Sequence, residues 1–398
     1  MTKHYLFYVR DVLPQPKAHL IQVVQCANAA ANLGYPTVLS FTKQGYQALN
    51  PIDWVYPFRP QPIWDKFQQF YNTGNRLKLL PLSMPWPIGA FKGKLTSPST
   101  LACKYYWPVH LKKRIQLVHT RDWNFAKTVI SSGVPVIYEC HHYQKAQYEA
   151  DIVNSPWLQV AVTVIETVRD NMIANGMPAH KILVAPNGYN KLFLERHPDA
   201  AQHWRTKLLG DRFEQLVVYA GALYAFKGID QIIAIAHDFP TVKFAIAGGP
   251  ASQQTIYEST LKSKQIENIE LVGFLPQHDL SSLLQAANAL VHPHCNGQAA
   301  TFTSPLKLFD YLASGTPVVA TTIPSLKNLT TAKTGIVWCA PDDTSEFRKS
   351  LKHLLDSQLG TQGYCTDSIA FVQRFTWENR IQAILDRVAP EIRPQKFA

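Results

Sequence analysis

Lys307 and Asp310 stand three residues apart in the segment HPHCNGQAATFTSPLKLFDYLASGTPVVAT. On a helix they share one face, close enough to act together or to form an ordinary surface pair. Ser304 suits the N-cap and Pro305 the first helical position, while Gly315 and Pro317 would stop the helix. The helix start, Thr303 to Leu306, would suit a diphosphate, because exposed backbone N–H groups at a helix N-terminus attract anions. A second lysine, Lys227, follows an apolar strand and Gly221 in YAGALYAFKGID. A flexible ammonium there can meet phosphate oxygens or simply be solvated. Gly248 and Gly249, after VKFAIA, fit close approach of a ligand and a tight turn equally well.

His141 and His142 follow the strand VPVIYE, with Glu139 two residues before His141. Adjacent side chains on extended backbone point to opposite faces, so at most one of these histidines faces a ligand directly. It would donate to a phosphate or sugar hydroxyl, or only cap the strand end. Arg121 and Asp122 end the strand IQLVHT, and His19 closes the polar turn after HYLFYV. There is no Walker loop, dinucleotide fingerprint, G-x-S-x-G elbow or H-E-x-x-H pair. The six cysteines lack C-x-x-C spacing and read as reduced and buried, so no metal site is expected.

These residues need strands and helices in alternation to hold them, and the chain supplies two such series. HYLFYV, the helix LIQVVQCANAAANLG and PTVLSF form a βαβ unit, followed by the strands IQLVHT, VPVIYE, AVTVI and KILVAPNG. Beyond Asn187-Gly188 a fresh series begins with LVVYAGAL and runs through VKFAIAGG, NIELVGF and LVHP to TPVVATT. The expected fold class is α/β, with two doubly wound Rossmann-like domains facing each other across a cleft and ligands at the carboxyl ends of strands. The expected domains are residues 1–190 and 191–370. A terminal amphipathic helix, Phe371 to Val388 within 371–398, is expected to pack back toward the first domain.

With 398 residues, 46% hydrophobic and 17% charged, the chain can bury sizeable cores, which excludes global disorder. Nothing approaches the roughly 18 continuous apolar residues of a membrane span. Arg10 and Asp11 interrupt any signal-like run, so the expectation is a cytoplasmic protein. The net charge of +11 is uneven: residues 1–195 hold 20 basic and 10 acidic side chains. Between Arg59 and Arg114 ten basic residues face one acid, Asp65, among Trp64, Trp86, Phe91, Tyr105, Tyr106 and Trp107. That mixture suits an anionic membrane edge, where charges meet headgroups and rings enter the interface, or a solvated basic loop with packed aromatics. No nucleic-acid motif accompanies it, so nucleic acid is not an expected partner.

The runs KILVAPNGYN, VVYAGALYAFKGID, VKFAIAGG, IELVGFLPQHDLSSLLQAANALVHP and TSPLKLFDYLASGTPVVAT, in that order over about 180–322, resemble the large retaining glycosyltransferase family 4, or group 1, of GT-B fold. The resemblance implies a nucleotide-diphosphate sugar as donor, no metal cofactor and retention of anomeric configuration. It puts the donor against the second domain, with Lys227, Lys307, Gly221, Gly248, Gly249, Thr303, Ser304, Pro305 and Leu306 around the diphosphate. Asp310 takes the second place of the family's pair of acids, at the nucleotide ribose; the first place falls on Phe302. The family arginine falls on Ala222, while Lys227 keeps the lysine that follows. His141 matches the family's strand-end histidine near the transferred sugar, with His19, Arg121 and Asp122 on the acceptor side. The expected partner is a saccharide or lipid-linked acceptor in cell-surface polysaccharide or glycolipid synthesis; the stretch Arg59–Arg114 suggests that it is met at the inner face of the cytoplasmic membrane, the alternative being a basic face that attracts an anionic saccharide. Two other readings stay open: hydrolysis by two carboxylates, with Asp122 and Glu139 as candidates, and a non-catalytic sugar-nucleotide-binding or assembly protein.

Overall fold

The computed structural model describes residues 3–43, 51–84, 97–304, 306–357 and 364–396. The chain forms two compact units: Met1–Asn187 together with Trp377–Ala398, and Gly188–Thr376. In the first unit the strands are β1 (His4–Val12), β2 (Thr37–Thr42), β3 (Lys78–Leu82), β4 (Ile115–Thr120), β5 (Val136–Glu139), β6 (Leu158–Thr163) and β7 (Ile182–Val184). They form one parallel sheet in the order β3-β2-β1-β4-β5-β6-β7. The second unit holds β8 (Gln215–Ala220), β9 (Val242–Ala247), β10 (Ile269–Gly273), β11 (Ala289–His292), β12 (Val318–Thr321) and β13 (Ile336–Cys339), in the order β10-β9-β8-β11-β12-β13. Both sheets are doubly wound, as the alternating apolar runs predict.

Helices cover both faces of each sheet, so central strands are buried throughout; β2 and β9 expose no residue. The period of two along β8 divides the second core. Leu216, Val218 and Ala220 pack with Leu308, Phe309 and Leu312 on one face. Val217 and Tyr219 pack with Ile229, Ile232 and Ile233 on the other. Each fully buried leucine in these layers contributes roughly 2 kcal/mol. The helix Leu306–Ser314 thus sits by its apolar stripe, which leaves Lys307 and Asp310 on its remaining face. Its last carbonyl, on Ser314, accepts from Arg196 at 2.6 Å, and Gly315 takes the left-handed position that ends it.

Two expectations are corrected. The predicted terminal helix is two helices, Thr366–Val372 and Trp377–Leu385. Between them the chain turns, with Phe375 N–H donating to Val372 O at 2.8 Å; Tyr189 N–H donates to Phe375 O at 3.2 Å, and the Phe375 ring meets Phe309 and Phe371 at 5.3 Å. The apolar period runs through the break because each half has a core to face, but the cores are different ones. The crossings between units therefore fall at 187/188 and 376/377 rather than at 190/191 and 370/371.

The basic stretch Arg59–Arg114 is not one surface. It contains helix Asp65–Tyr71 and the strand β3, and Tyr106 and Trp107 are buried at 1% exposure. Trp107 packs edge-on against Phe125, and its indole N–H donates to Ser132. Tyr105 and Tyr106 give their hydroxyl hydrogens to the carbonyls of Trp54 and Ser83. These rings serve the core instead of an interface. Trp86, Phe91, Lys92 and Lys94 lie outside the described residues. Among the described residues no helix is long and apolar enough to cross a membrane.

Candidate functional site

In a doubly wound sheet the ligand edge lies beyond the carboxyl ends of the two strands where the winding reverses. In the second unit these are β8 and β11. Their exits are tied together: Cys295 N–H donates to Phe226 O at 2.9 Å, and Gln231 Nε2 to Pro293 O at 3.2 Å. Gly228 has φ +78°, and a Cβ there would stand 1.6 Å from Pro293 O, so only glycine lets the exits close. Gly248 is equally constrained, since its Cβ would meet Gly221 O at 2.3 Å.

Lys227 ends the short turn Ala225–Lys227 after β8. Lys307, from the helix start, lays its Nζ over the Tyr219 ring at 3.7 Å from the centroid, beside Gly221. Burial pushes the Lys227 ammonium down to about 8. Burial and the nearby charge of Lys227 hold Lys307 well below the usual lysine range. Neither lysine forms an ion pair among the described residues, so the ordinary Lys307–Asp310 surface pair does not form.

Two histidines join this group that sequence reasoning left without a role. His292 ends β11 and His294 follows it, both 1% exposed, with rings stacked 5.8 Å apart. Both ring nitrogens of His292 and Nε2 of His294 have no hydrogen-bond partner. Burial, Lys307 and Lys227 keep His292 neutral, and burial with Lys227 takes His294 to about 4. The repeat H-x-H at a strand exit was the available signal. Two unpaired cations beside orphaned buried imidazoles make a site suited to a polyvalent anion with hydroxyl groups attached.

Asp310 lies one helical turn from Lys307, and its Oδ1 accepts from Asn190 N–H at 3.1 Å. Burial raises its carboxyl to about 7, against that hydrogen bond. Thr303 does not offer the open N–H expected of it, because its N–H and hydroxyl both donate to Ala299 O. It closes the short helix Gln298–Phe302. Pro305 lies outside the described residues. Gly249 packs against Leu223, where a Cβ would approach the leucine Cγ to 2.5 Å.

The raised Asp310 carboxyl gives a stability prediction. Between pH 3.8 and about 7 the folded form keeps a proton that the unfolded chain has lost, so this group's contribution falls as pH rises through that window. Asp310→Asn keeps the oxygen that accepts from Asn190 and removes the charge. Its Tm should exceed the parent's at pH 8 by a few degrees and match it at pH 4. A Tm difference independent of pH would show that burial does not perturb this carboxyl.

In the first unit the strand ends gather a second polar group. Glu139 ends β5 at 1% exposure. His141 Nε2 lies 2.5 Å from Glu139 Oε1, and His119 Nε2 lies 2.7 Å from Oε2. Burial opposes ionisation of Glu139, but Arg380, His141 and His119 hold its carboxyl well below the usual range. Such a carboxylate cannot exchange protons as a general acid, and Asp122 is engaged as an N-cap, accepting from Phe125 N–H at 3.1 Å. This arrangement gives no support to hydrolysis by these two carboxylates. Burial and then Arg121 push His141 down to about 3, so its imidazole is neutral. Arg121 donates to Gln22 at 3.2 Å, and His19 lies 3.8 Å from Asp11. His142, lowered by burial, Arg121 and His19, is exposed beside them. Among the described residues no cluster of acids, histidines and cysteines could hold a metal ion.

Residues 214–357 match the family model described as Glycosyl transferases group 1. Among curated proteins, the glycogen synthase of Mycobacterium tuberculosis is 25% identical over 274 residues, 63% of this chain and 62% of that protein. The chain thus spans about three fifths of that relative's length. Two solved structures share the fold over nearly the whole chain. Anabaena HepE in complex with UDP and glucose has a TM-score of 0.68 at 15% identity, covering 96% of this chain and 98% of its own. Sucrose-phosphate synthase from Thermosynechococcus elongatus also has a TM-score of 0.68, at 16% identity, covering 97% and 98%. The chain therefore has the GT-B fold of these glycosyltransferases, and the part of it that holds Lys227, Lys307 and the two buried histidines matches the glycosyl transferases of group 1.

Proposed function

We propose that the protein is a retaining glycosyltransferase, moving a sugar from a nucleoside-diphosphate sugar to an acceptor hydroxyl without a metal ion. The observation that carries this reading is the lysine pair at the β8 and β11 exits, two cations without an acid, within the segment that matches group 1 glycosyl transferases. In the proposed step the bond from the anomeric carbon to the diphosphate oxygen breaks, and negative charge grows on the departing diphosphate. Lys227, Lys307 and the N–H groups at the start of helix Leu306–Ser314 stabilise that charge more as it develops than before. The acceptor oxygen bonds to the anomeric carbon on the face the diphosphate leaves, and the departing phosphate takes the acceptor's proton. Asp310 holds the ribose, and main-chain groups around Asn296–Thr303 meet the donor-sugar hydroxyls in place of an acid at Phe302. His141 accepts from a hydroxyl of the transferred sugar through Nδ1, since its Nε2 hydrogen is given to Glu139.

The acceptor in this reading is a saccharide or lipid-linked sugar for cell-surface polysaccharide or glycolipid synthesis, met at an anionic membrane surface inside the cell. Lys104, Lys112, Lys113 and Arg114 are exposed near Val109, which is 62% exposed. Each such charge near an anionic leaflet is worth about 1 kcal/mol.

Release of UDP from UDP-glucose, the donor bound in a HepE structure, is the first test, followed by GDP- and ADP-sugars with mass detection of products. Acceptor-stimulated release and an α-linked product from an α-linked donor are expected. An inverted product overturns retention. Binding of donors without turnover favours a non-catalytic sugar-nucleotide-binding protein. Sedimentation with anionic but not neutral vesicles at low salt is expected, and protein left in the supernatant overturns the membrane assignment.

A further inference from the structure

Arg380 belongs to helix Trp377–Leu385, laid down after the chain has completed the second unit and returned to the first. Its side chain is 2% exposed and ends on Glu139: the guanidinium NH2 donates to Oε1 at 2.5 Å. Its other two nitrogens also donate, Nε to Pro186 O at 3.1 Å and NH1 to Cys26 Sγ at 3.3 Å. Glu139 Oε1 thus receives Arg380, His141 and Gln22, the last at 2.7 Å, while Oε2 receives His119. Tyr5 donates to His119 Nδ1 at 3.0 Å, which leaves His119 its Nε2 hydrogen for Glu139. Among the described residues, Arg380 is the one permanent cation that lies directly on this carboxylate.

We infer that Arg380 is a positioning residue for His141: it keeps Glu139 an anion, and that anion fixes the imidazole as its Nε2–H tautomer with Nδ1 turned to a ligand. The value of this arrangement for transfer rests on the proposed role of His141; the tautomer does not. A lone buried carboxylate without a cation would draw a proton onto itself or onto a neighbouring imidazole. Protonation of Glu139 removes one acceptor position and can turn a hydrogen toward His141. Protonation of His141 converts Nδ1 from acceptor to donor. Either change removes the acceptor that the sugar hydroxyl needs. The groups that face this centre are Tyr5 from β1, Cys26 from helix Ala18–Asn32, His119 from β4 and Arg121 just after it, Cys140 next to Glu139, and Arg380 itself. Arg121 stays in place when Arg380 is removed, but it donates to Gln22 rather than to the carboxylate.

The test is Arg380→Gln and Arg380→Lys in the full chain, with the ring nitrogens of His141 read by 15N NMR. The parent should show the neutral Nε2–H form from pH 8 down to pH 5. Arg380→Gln should lose that form toward pH 5, with the acid transition raised from about 3 by about two units or more, and Arg380→Lys should restore it in part. With UDP-glucose as donor, Arg380→Gln should lower kcat by about 10–100-fold and leave KM for the donor within about threefold, because the lysine pair belongs to the other unit. In a His141→Ala background the same substitution should lower kcat no further, which a general loss of structure would not reproduce. If Arg380→Gln does not fold, Arg380→Lys carries the NMR reading alone. A parental His141 tautomer and transition in the folded variants overturns the inference. Parental turnover in His141→Ala overturns the catalytic role of His141 and leaves the tautomer result standing.

Discussion

Lys307→Ala and Lys227→Ala should each lower turnover of a UDP-sugar by about 10²–10³-fold, the loss seen when one preorganised donor to a developing anion is removed. The reason lies in the protonation of the free protein. Burial holds Lys227 at about 8, and burial with that neighbour holds Lys307 well below the ordinary lysine range. A diphosphate brought between them raises the proton affinity of both. Binding should therefore take up a proton near pH 8, and UDP affinity should fall as pH rises through that range. Calorimetry in buffers of different ionisation enthalpy measures the uptake directly. Lys227 also depresses Lys307, so Lys227→Ala relieves Lys307 and part of the lost charge returns. The double variant should bind UDP no better than UMP. Parental UDP affinity in both single variants, with no proton uptake in the parent, would remove the pair from the mechanism.

His141→Ala should lower turnover by about 10²-fold or more, and His142→Ala by less than about threefold. His141 is fixed by Glu139 and neutral, with a proton affinity pushed down to about 3, while His142 is exposed. Turnover should therefore show no transition near the ordinary histidine value of 6.5 that disappears in His141→Ala. Stability carries the complementary sign. The folded pKa of His141 lies below the unfolded one, so the unfolded chain binds the extra proton between about 3 and 6.5. The stabilisation is complete above pH 6.5 and is lost as pH falls through that window. His141→Ala should thus lose less Tm than the parent between pH 8 and pH 5, measured by thermal melts. Loss of turnover in His142→Ala alone, with donor binding intact, would mean the strand register carries the other histidine.

The strands of both sheets were readable because a parallel sheet covered on two faces demands unbroken apolar runs, and LVVYA, VKFAIA and TPVVAT have no other use. Two strands, β3 and β13, were hidden because each is short and lies at a sheet edge, and β3 carries Lys78 and Pro81, which are tolerated there. The terminal helices were merged because a periodic apolar face says that a core exists, but not which one. The site followed the same division. Lys227, Lys307, Asp310 and His141 were visible as polar residues at strand and helix ends, where open α/β sheets keep their ligands. His292 and His294 were not singled out, since histidines at the end of a buried strand look like any others until their nitrogens are seen to lack partners.

The sequence by itself determined two doubly wound sheets, the order of their strands along the chain and the residue types at the rims, because periodicity and chain order are local properties. Only the tertiary structure decided the state of those residues. Lys227 and Lys307 are buried to lowered proton affinity with no ion pair among the described residues, Asp122 is engaged as a helix cap, and Glu139 is held as an anion with Arg380 on it, 241 positions further along. Proton affinity and hydrogen-bond direction depend on burial and on charges met through space, and neighbours so far apart in the chain are joined only when it folds.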